Sequence, residues 1–224
     1  MGSDAGSVGA LQYGVIAATS YVDSDHPNVV AFARDATAGA TGDRERASRL
    51  FAAVRERLRY DPYTIVNAAY RASAVLEAER TYCIPKAVLL CAAARAVGIP
   101  ARLGFADVRN HLTSPKLTQL LNGQELFIWH GYVALEIEGR VVKATPAFNA
   151  ALCARFEVPA LEFDGVHDAL LQPFDGQGRA YMEYVADRGL FEDLPLDRIR
   201  ADFQALYGFG EVETGRAERD EAFH

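Results

Sequence analysis

The stretch Thr81 to Arg102, TYCIPKAVLLCAAARAVGIPAR, leaves the chain little freedom. Its run Ala87, Val88, Leu89, Leu90, Ala92, Ala93, Ala94 is apolar almost all round. A helix of this kind has no face to give to water and belongs at the centre of a core. Thr81 is an N-cap candidate, and Pro85 suits a first turn, where a missing N–H costs least. Pro85 comes slightly late for a cap at Thr81, so the start falls there or a residue or two further on. Gly98 stops the helix and Pro100 prevents it resuming. Cys83 is thereby placed among the free N–H groups at the positive end of a helix dipole. That environment lowers a thiol pKa and offers donors to an oxyanion. The competing explanation is a small buried filler, the usual lot of a free cysteine.

A core large enough to enclose such a helix is available, since half of the 224 residues are hydrophobic. One domain is expected over residues 11–210, between a Gly/Ser-rich leader at 1–10 and a charged tail at 211–224. A net charge of −7 excludes a general nucleic-acid binder, which needs a basic face. No apolar run has the length of a membrane span, and the leader has neither a basic segment nor an apolar one. Three cysteines without an export signal fit a reduced, cytoplasmic setting better than a disulfide framework. Cys83 and Cys91 are too far apart for a CxxC pair and no histidine pair has ligand spacing, so no metal or cofactor is expected.

The remaining elements follow from periodicity. Leu11 to Ser20 carries a weak apolar signal for a strand or an opening helix. Asp23, Ser24 and Asp25 before Pro27 open a helix, and Asp43 caps a second, with Ala47, Leu50, Phe51, Val54 and Leu58 at helical spacing. Helical propensity returns over Asn67 to Arg80. Ala101 to Ala106 reads as a strand running into a polar loop, Asp107 to Pro115, followed by a short helix over Lys116 to Leu121 and a turn at Asn122-Gly123. Leu126 to Glu138 has the clearest strand pattern. Phe127, Trp129, Gly131, Val133, Leu135 and Ile137 take one face, and Ile128, His130, Tyr132, Ala134, Glu136 and Glu138 the other. Gly131 marks a bulge or a close backbone approach. Gly139-Arg140 turns the chain into a partner strand over Val141 to Thr145. Asn149 to Phe156 suits a short helix, Val158 to Arg179 is turn-rich, and Arg198 to Tyr207 is a last amphipathic helix. The order predicts an α+β fold with helices packed on a largely antiparallel sheet.

A thiolate at a helix start is best made by a neighbouring base, and His130, on a strand, suits that role by type and placement. His111, in the loop after the first strand, competes with it. His26, His167 and His224 have ordinary capping, turn or tail positions. Tyr82, Asp107, Asn110, His111 and Trp129 are candidates to line a substrate cleft, although core, cap and turn roles account for each equally well.

Cys83 on its helix, Gly98-Ile99-Pro100-Ala101-Arg102, a strand histidine and a hairpin return together resemble the transglutaminase-like superfamily of papain-like cysteine enzymes. The resemblance runs from about Leu50 to Asn149. Arg59-Tyr60-Asp61-Pro62-Tyr63 and Lys143-Ala144-Thr145-Pro146-Ala147-Phe148-Asn149 are similar to a bacterial subgroup of it. It implies a papain-like core, Cys83 as nucleophile, His130 as base, and the Cys83 N–H in an oxyanion hole. Tyr132 fills the family's aromatic place two residues after the histidine, which adds it to the candidate substrate residues. Ala134 stands where a glutamate is common. The return strand usually carries an aspartate that orients the histidine, and here Lys143 stands in its place. A protonated lysine has no acceptor and repels an imidazolium. Thr145 and Asn149 are the candidates left to orient His130.

The expectation is thiol-dependent transfer or hydrolysis of a peptide, amide or small-molecule acyl group through a Cys83 acyl-enzyme. The alternative is a binding or scaffold module that keeps the fold without turnover, motivated by the missing carboxylate.

Overall fold

The computed structural model describes residues 16–111, 113–171, 177–178 and 182–209; the leader and the charged tail lie outside them. Residues 16–20, at the end of the weak N-terminal signal, carry no helix or strand. Helices α1 (Pro27–Ala36) and α2 (Asp43–Arg57) come first, followed by the short strand β1 (Arg59–Tyr60) and a 3-10 turn over Pro62–Val66. A single helical turn, α3 (Ala72–Val75), leads to β2 (Arg80–Thr81), which pairs in parallel with β1 and delivers the chain to α4 (Cys83–Ala96). The helical propensity of 67–80 is therefore realised only in part, because β2 must extend to meet β1. Tyr82 is the residue before the first turn of α4, one past Thr81, so Pro85 lies within that turn.

Helix α4 is the axis of the core, as its composition requires. From Ile84 to Ala94 its side chains are fully buried, with α1, α2 and α3 on one side and the sheet on the other. One of those side chains is charged. Lys86 is 0 % exposed, and its Nζ donates to the carbonyl of Arg55 at 2.8 Å and that of Leu58 at 2.7 Å. These acceptors belong to the end of α2, where helix carbonyls lack partners of their own.

The sheet holds β3 (Ala101–Asn110), β4 (Leu126–Ile137), β5 (Arg140–Ala144) and β6 (Met182–Phe191) in the antiparallel order β5-β4-β3-β6. Short helices α5 (Pro115–Leu120) and α6 (Ala150–Arg155) flank it, and α7 (Leu196–Tyr207) closes the described chain. The α+β arrangement is the one the sequence predicts. Strand β3 runs past Ala106 to Asn110, because β4 and β6 pair with it on both sides. The hairpin turn sits at Glu138 and Gly139, both at positive φ (52° and 74°), one residue earlier than Gly139-Arg140. Strand β6 has no counterpart in the sequence expectations. It is an exposed edge, Met182-Glu183-Tyr184-Val185-Ala186-Asp187, without the alternation that a half-buried strand imposes.

Alternation along β4 holds from Gly131 onward. Gly131 faces α4 so closely that a Cβ there would lie 3.2 Å from the Ile84 Cα, while Val133, Leu135 and Ile137 enter the core. Before that point the pattern breaks. Ala106 pairs with His130 and Val108 with Phe127, so Asp107 alone opposes Ile128 and Trp129. Trp129 takes up the extra residue at φ 60°. The freed backbone groups find side-chain partners: the Trp129 N–H donates to Asp107 Oδ1 at 3.1 Å and the Ile128 N–H to the Tyr207 hydroxyl at 2.8 Å.

On the other face of the sheet, Tyr132 lies flat on Gly104, with Lys143 Nζ 5.0 Å from its ring centroid and its hydroxyl 3.3 Å from Asp187. A Cβ at residue 104 would be 2.1 Å from the Tyr132 ring. Gly104→Ala is expected to cost about 1–3 kcal/mol, read as a lowered urea midpoint. The loss should shrink on a Tyr132→Leu background, and an equal loss on both backgrounds would refute the contact as its cause.

Candidate active site

Cys83 is the first residue of α4 because β2 ends two residues earlier, leaving Tyr82 as the cap, and Pro85 suits a helix start. Its sulfur is met by backbone N–H groups of Cys83 itself, Ile84 and Gly131, the last brought in by the close approach of β4. The N-terminal position predicts a lowered thiol pKa, but the structure reverses the sign. Burial pushes the Cys83 thiol up to about 11, against the opposing pull of those three donors and of Lys86 one turn along the helix. Desolvation outweighs the dipole because only 8 % of the residue is exposed.

His130 follows the bulge on β4 and is 6 % exposed. Burial lowers its imidazole to about 4, so thiol and imidazole are each uncharged at neutral pH. Its Nε2 has no hydrogen-bond partner among the described residues. The Tyr184 ring, from β6, stands edge-on to the imidazole at 6.4 Å between centroids. The Tyr184 hydroxyl lies beside Thr145 and the Leu171 backbone.

Cys83 and His130 line one cavity of about 320 Å³. It runs between the start of α4, the bulged end of β4, α6 and α7. Of the candidate substrate residues, Tyr82, Asn110 and Trp129 line it, and Asp107, His111 and Tyr132 are not among its described walls. Each of those three has a structural partner that explains its position. Asp107 holds the Trp129 N–H and pairs with Arg188. His111 lies 3.4 Å from Glu183 at the surface. Tyr132 covers Gly104 on the opposite face. Trp129 itself is anchored, with Nε1 donating to Asp202 at 2.7 Å and Arg188 stacked 4.6 Å from its ring. Tyr82 shares a hydrogen bond of 2.9 Å with the Tyr70 hydroxyl.

Neither candidate orienter lines the cavity. Thr145 is 1 % exposed and its Oγ1 makes no well-formed hydrogen bond. Asn149 uses Oδ1 to accept the Tyr60 N–H at 3.1 Å, fastening the loop before α6 to β1. Lys143, in the position of the absent carboxylate, turns to Asp187 at 3.5 Å and to the Tyr132 ring. Of the other histidines, His26 Nδ1 caps α1 and His167 Nδ1 meets Asp164 at 2.7 Å.

Residues that sequence reasoning missed include Tyr184, Phe203 and Tyr207. The first lies on a strand without a periodic signal. The other two belong to an amphipathic helix whose apolar face gives no hint that it closes a cavity.

The family model of the transglutaminase-like superfamily matches residues 30–142. Two solved structures are similar to the chain. A "putative cysteine protease" from Cytophaga hutchinsonii is 16% identical, with a TM-score of 0.47 over 80% of this chain and 46% of that one. A "putative protease" from Parabacteroides distasonis ATCC 8503 is also 16% identical, with a TM-score of 0.38 over 52% of this chain and 22% of that one. The chain thus spans less than half the length of either. No curated protein matches it.

Proposed function

The chain belongs to the transglutaminase-like superfamily, and on that premise we propose that it transfers or hydrolyses an acyl group through a thioester on Cys83, with His130 as the base. The observation that carries this reading is one cavity holding both a cysteine at a helix start and a buried histidine with an unpartnered Nε2. His130 takes the thiol proton as sulfur attacks the carbonyl carbon of an amide or ester. The N–H groups around the sulfur, those of Cys83, Ile84 and Gly131, are donors for the developing oxyanion. Collapse breaks the C–N or C–O bond, and the leaving amine or alcohol takes the proton back from imidazolium. Water or an amine, deprotonated by the same imidazole, then releases the acyl group.

Iodoacetamide is expected to label Cys83, which lines the cavity, in preference to Cys91 and Cys153, which do not. Cys83→Ala should abolish that labelling and any acylation by an activated ester, read by intact mass and peptide mapping. Preferential labelling of Cys91 or Cys153 would sink the proposal.

A second reading, a module that keeps the fold without turnover, draws on Lys143 in the carboxylate's place and on the uncharged state of the pair. Alkylation of Cys83 at equal rates with and without the His130 imidazole favours it.

A further inference from the structure

The cavity's walls restrict what can reach Cys83. Among its described lining residues none is Asp, Glu, Lys or Arg. The surface is aromatic and aliphatic, with Ile128 and Trp129 from β4, Leu152 and Phe156 from the α6 segment, and Phe203 and Tyr207 from α7. Of the polar wall groups, the Ser114 hydroxyl is already occupied, capping α5 through the Leu117 N–H at 3.2 Å and meeting the Tyr63 hydroxyl at 3.2 Å. Asn110 also has partners of its own. Two buried polar atoms of the wall residues have no hydrogen-bond partner among the described residues, Thr113 Oγ1 and His130 Nε2, the latter in a residue only 6 % exposed that shares the cavity with the thiol. A volume of about 320 Å³ equals about ten water-sized units, enough for a ring with a short chain or for a medium-length alkyl group.

We infer that the cavity takes the acyl half of an uncharged, apolar donor, an aryl-alkyl or medium-chain aliphatic amide or ester, with its carbonyl at Cys83 and His130 and its hydrocarbon against β4, α6 and α7. The inference rests on the acyl-transfer reading for the position of the carbonyl, and on the walls alone for the hydrocarbon. Each methylene buried there strengthens binding by up to about fourfold. A carboxylate at the far end of the same chain would be desolvated with no cation among the described walls to pair it, and is rejected.

Trp129 is the chain's single tryptophan and lines the cavity, so its emission reports occupancy directly. In Cys83→Ala, where no chemistry follows, butanamide, hexanamide and decanamide are titrated against Trp129 fluorescence, together with the monoamide of decanedioic acid. The expected result is tighter binding with each length, and decanamide at least about 100-fold tighter than its carboxylate-ended analogue. Phe156 lies at the cavity wall and is 39% exposed. Phe156→Asp should weaken decanamide at least about tenfold with the circular dichroism spectrum unchanged. Equal affinity for the two ten-carbon amides, no dependence on length, or no binding of any of them overturns the inference. Length-dependent binding in a protein whose Cys83 resists acylation would instead keep the apolar pocket and remove the acyl-transfer reading.

Discussion

His130→Ala is expected to slow alkylation of Cys83 by iodoacetamide at pH 7 by roughly 10²–10⁴-fold. The size follows from the uncharged state of the pair. With the thiol near 11, only about one Cys83 in ten thousand is thiolate at pH 7. A base that removes the proton during attack recovers much of that deficit. The pH profile separates this mechanism from its rivals. Acting together, a neutral imidazole and a thiol give a rate that climbs as His130 loses its proton near 4 and stays level until the thiol itself ionises near 11. Without the imidazole, reactivity comes from free thiolate alone and rises about tenfold per pH unit up to about 11. A second step in the wild-type rate at roughly pH 8–9, well below the thiol's own value of about 11, would mean a preformed thiolate–imidazolium pair, contrary to the burial of both groups. A wild-type profile that rises throughout and coincides with that of His130→Ala would remove His130 from the chemistry.

How far this site is legible in the sequence depends on which forces set each part. Helix α4 is read directly because an all-round apolar surface has one place to go, and its cysteine is carried with it. The β4–β5 hairpin is equally legible from a period of two. The sequence pattern reaches no further than the strand on the exact disposition of His130. The bulge at Trp129 exists because Asp107, 22 residues earlier, and Tyr207, 79 residues after Ile128, satisfy the backbone groups it frees. No local pattern encodes such partners. Strand β6 escapes notice because an exposed edge is stabilised by its hydrogen bonds to β3 rather than by a buried face, so its side chains need not alternate. The thiol pKa fails for another reason. A helix start and a buried site push a cysteine in opposite directions, and the winner depends on solvent exposure, which residue type and spacing do not specify. Lys143 is a different case: the resemblance alone implies a carboxylate at its position, and its ammonium lies 3.5 Å from Asp187 and over the Tyr132 ring.

Lys86→Met is expected to change the pH dependence of stability more than any other single substitution in the core. Burial holds the Lys86 amine down at about 7, with nearby Glu56 pulling the other way. The folded protein therefore releases this proton near pH 7, whereas the unfolded chain keeps it to about 10.5. Between those limits the unfolded state binds more protons, so this group adds stability as pH rises, by up to about 1.4 kcal/mol per unit. The buried thiols act in the opposite direction above roughly pH 8.5, since their raised values leave the folded state with the extra protons. The raw profile of the wild type is thus a sum of opposing slopes, and the informative quantity is its difference from the variant. That difference should move in favour of the wild type by several kcal/mol in total between pH 7 and about 10.5. At pH 6 the two nearly cancel: methionine avoids desolvating a charge but leaves the Arg55 and Leu58 carbonyls without the donor they now share. Urea unfolding at pH 6, 7, 8, 9 and 10 measures the difference, and parallel profiles for the two proteins would show that Lys86 titrates at its ordinary value.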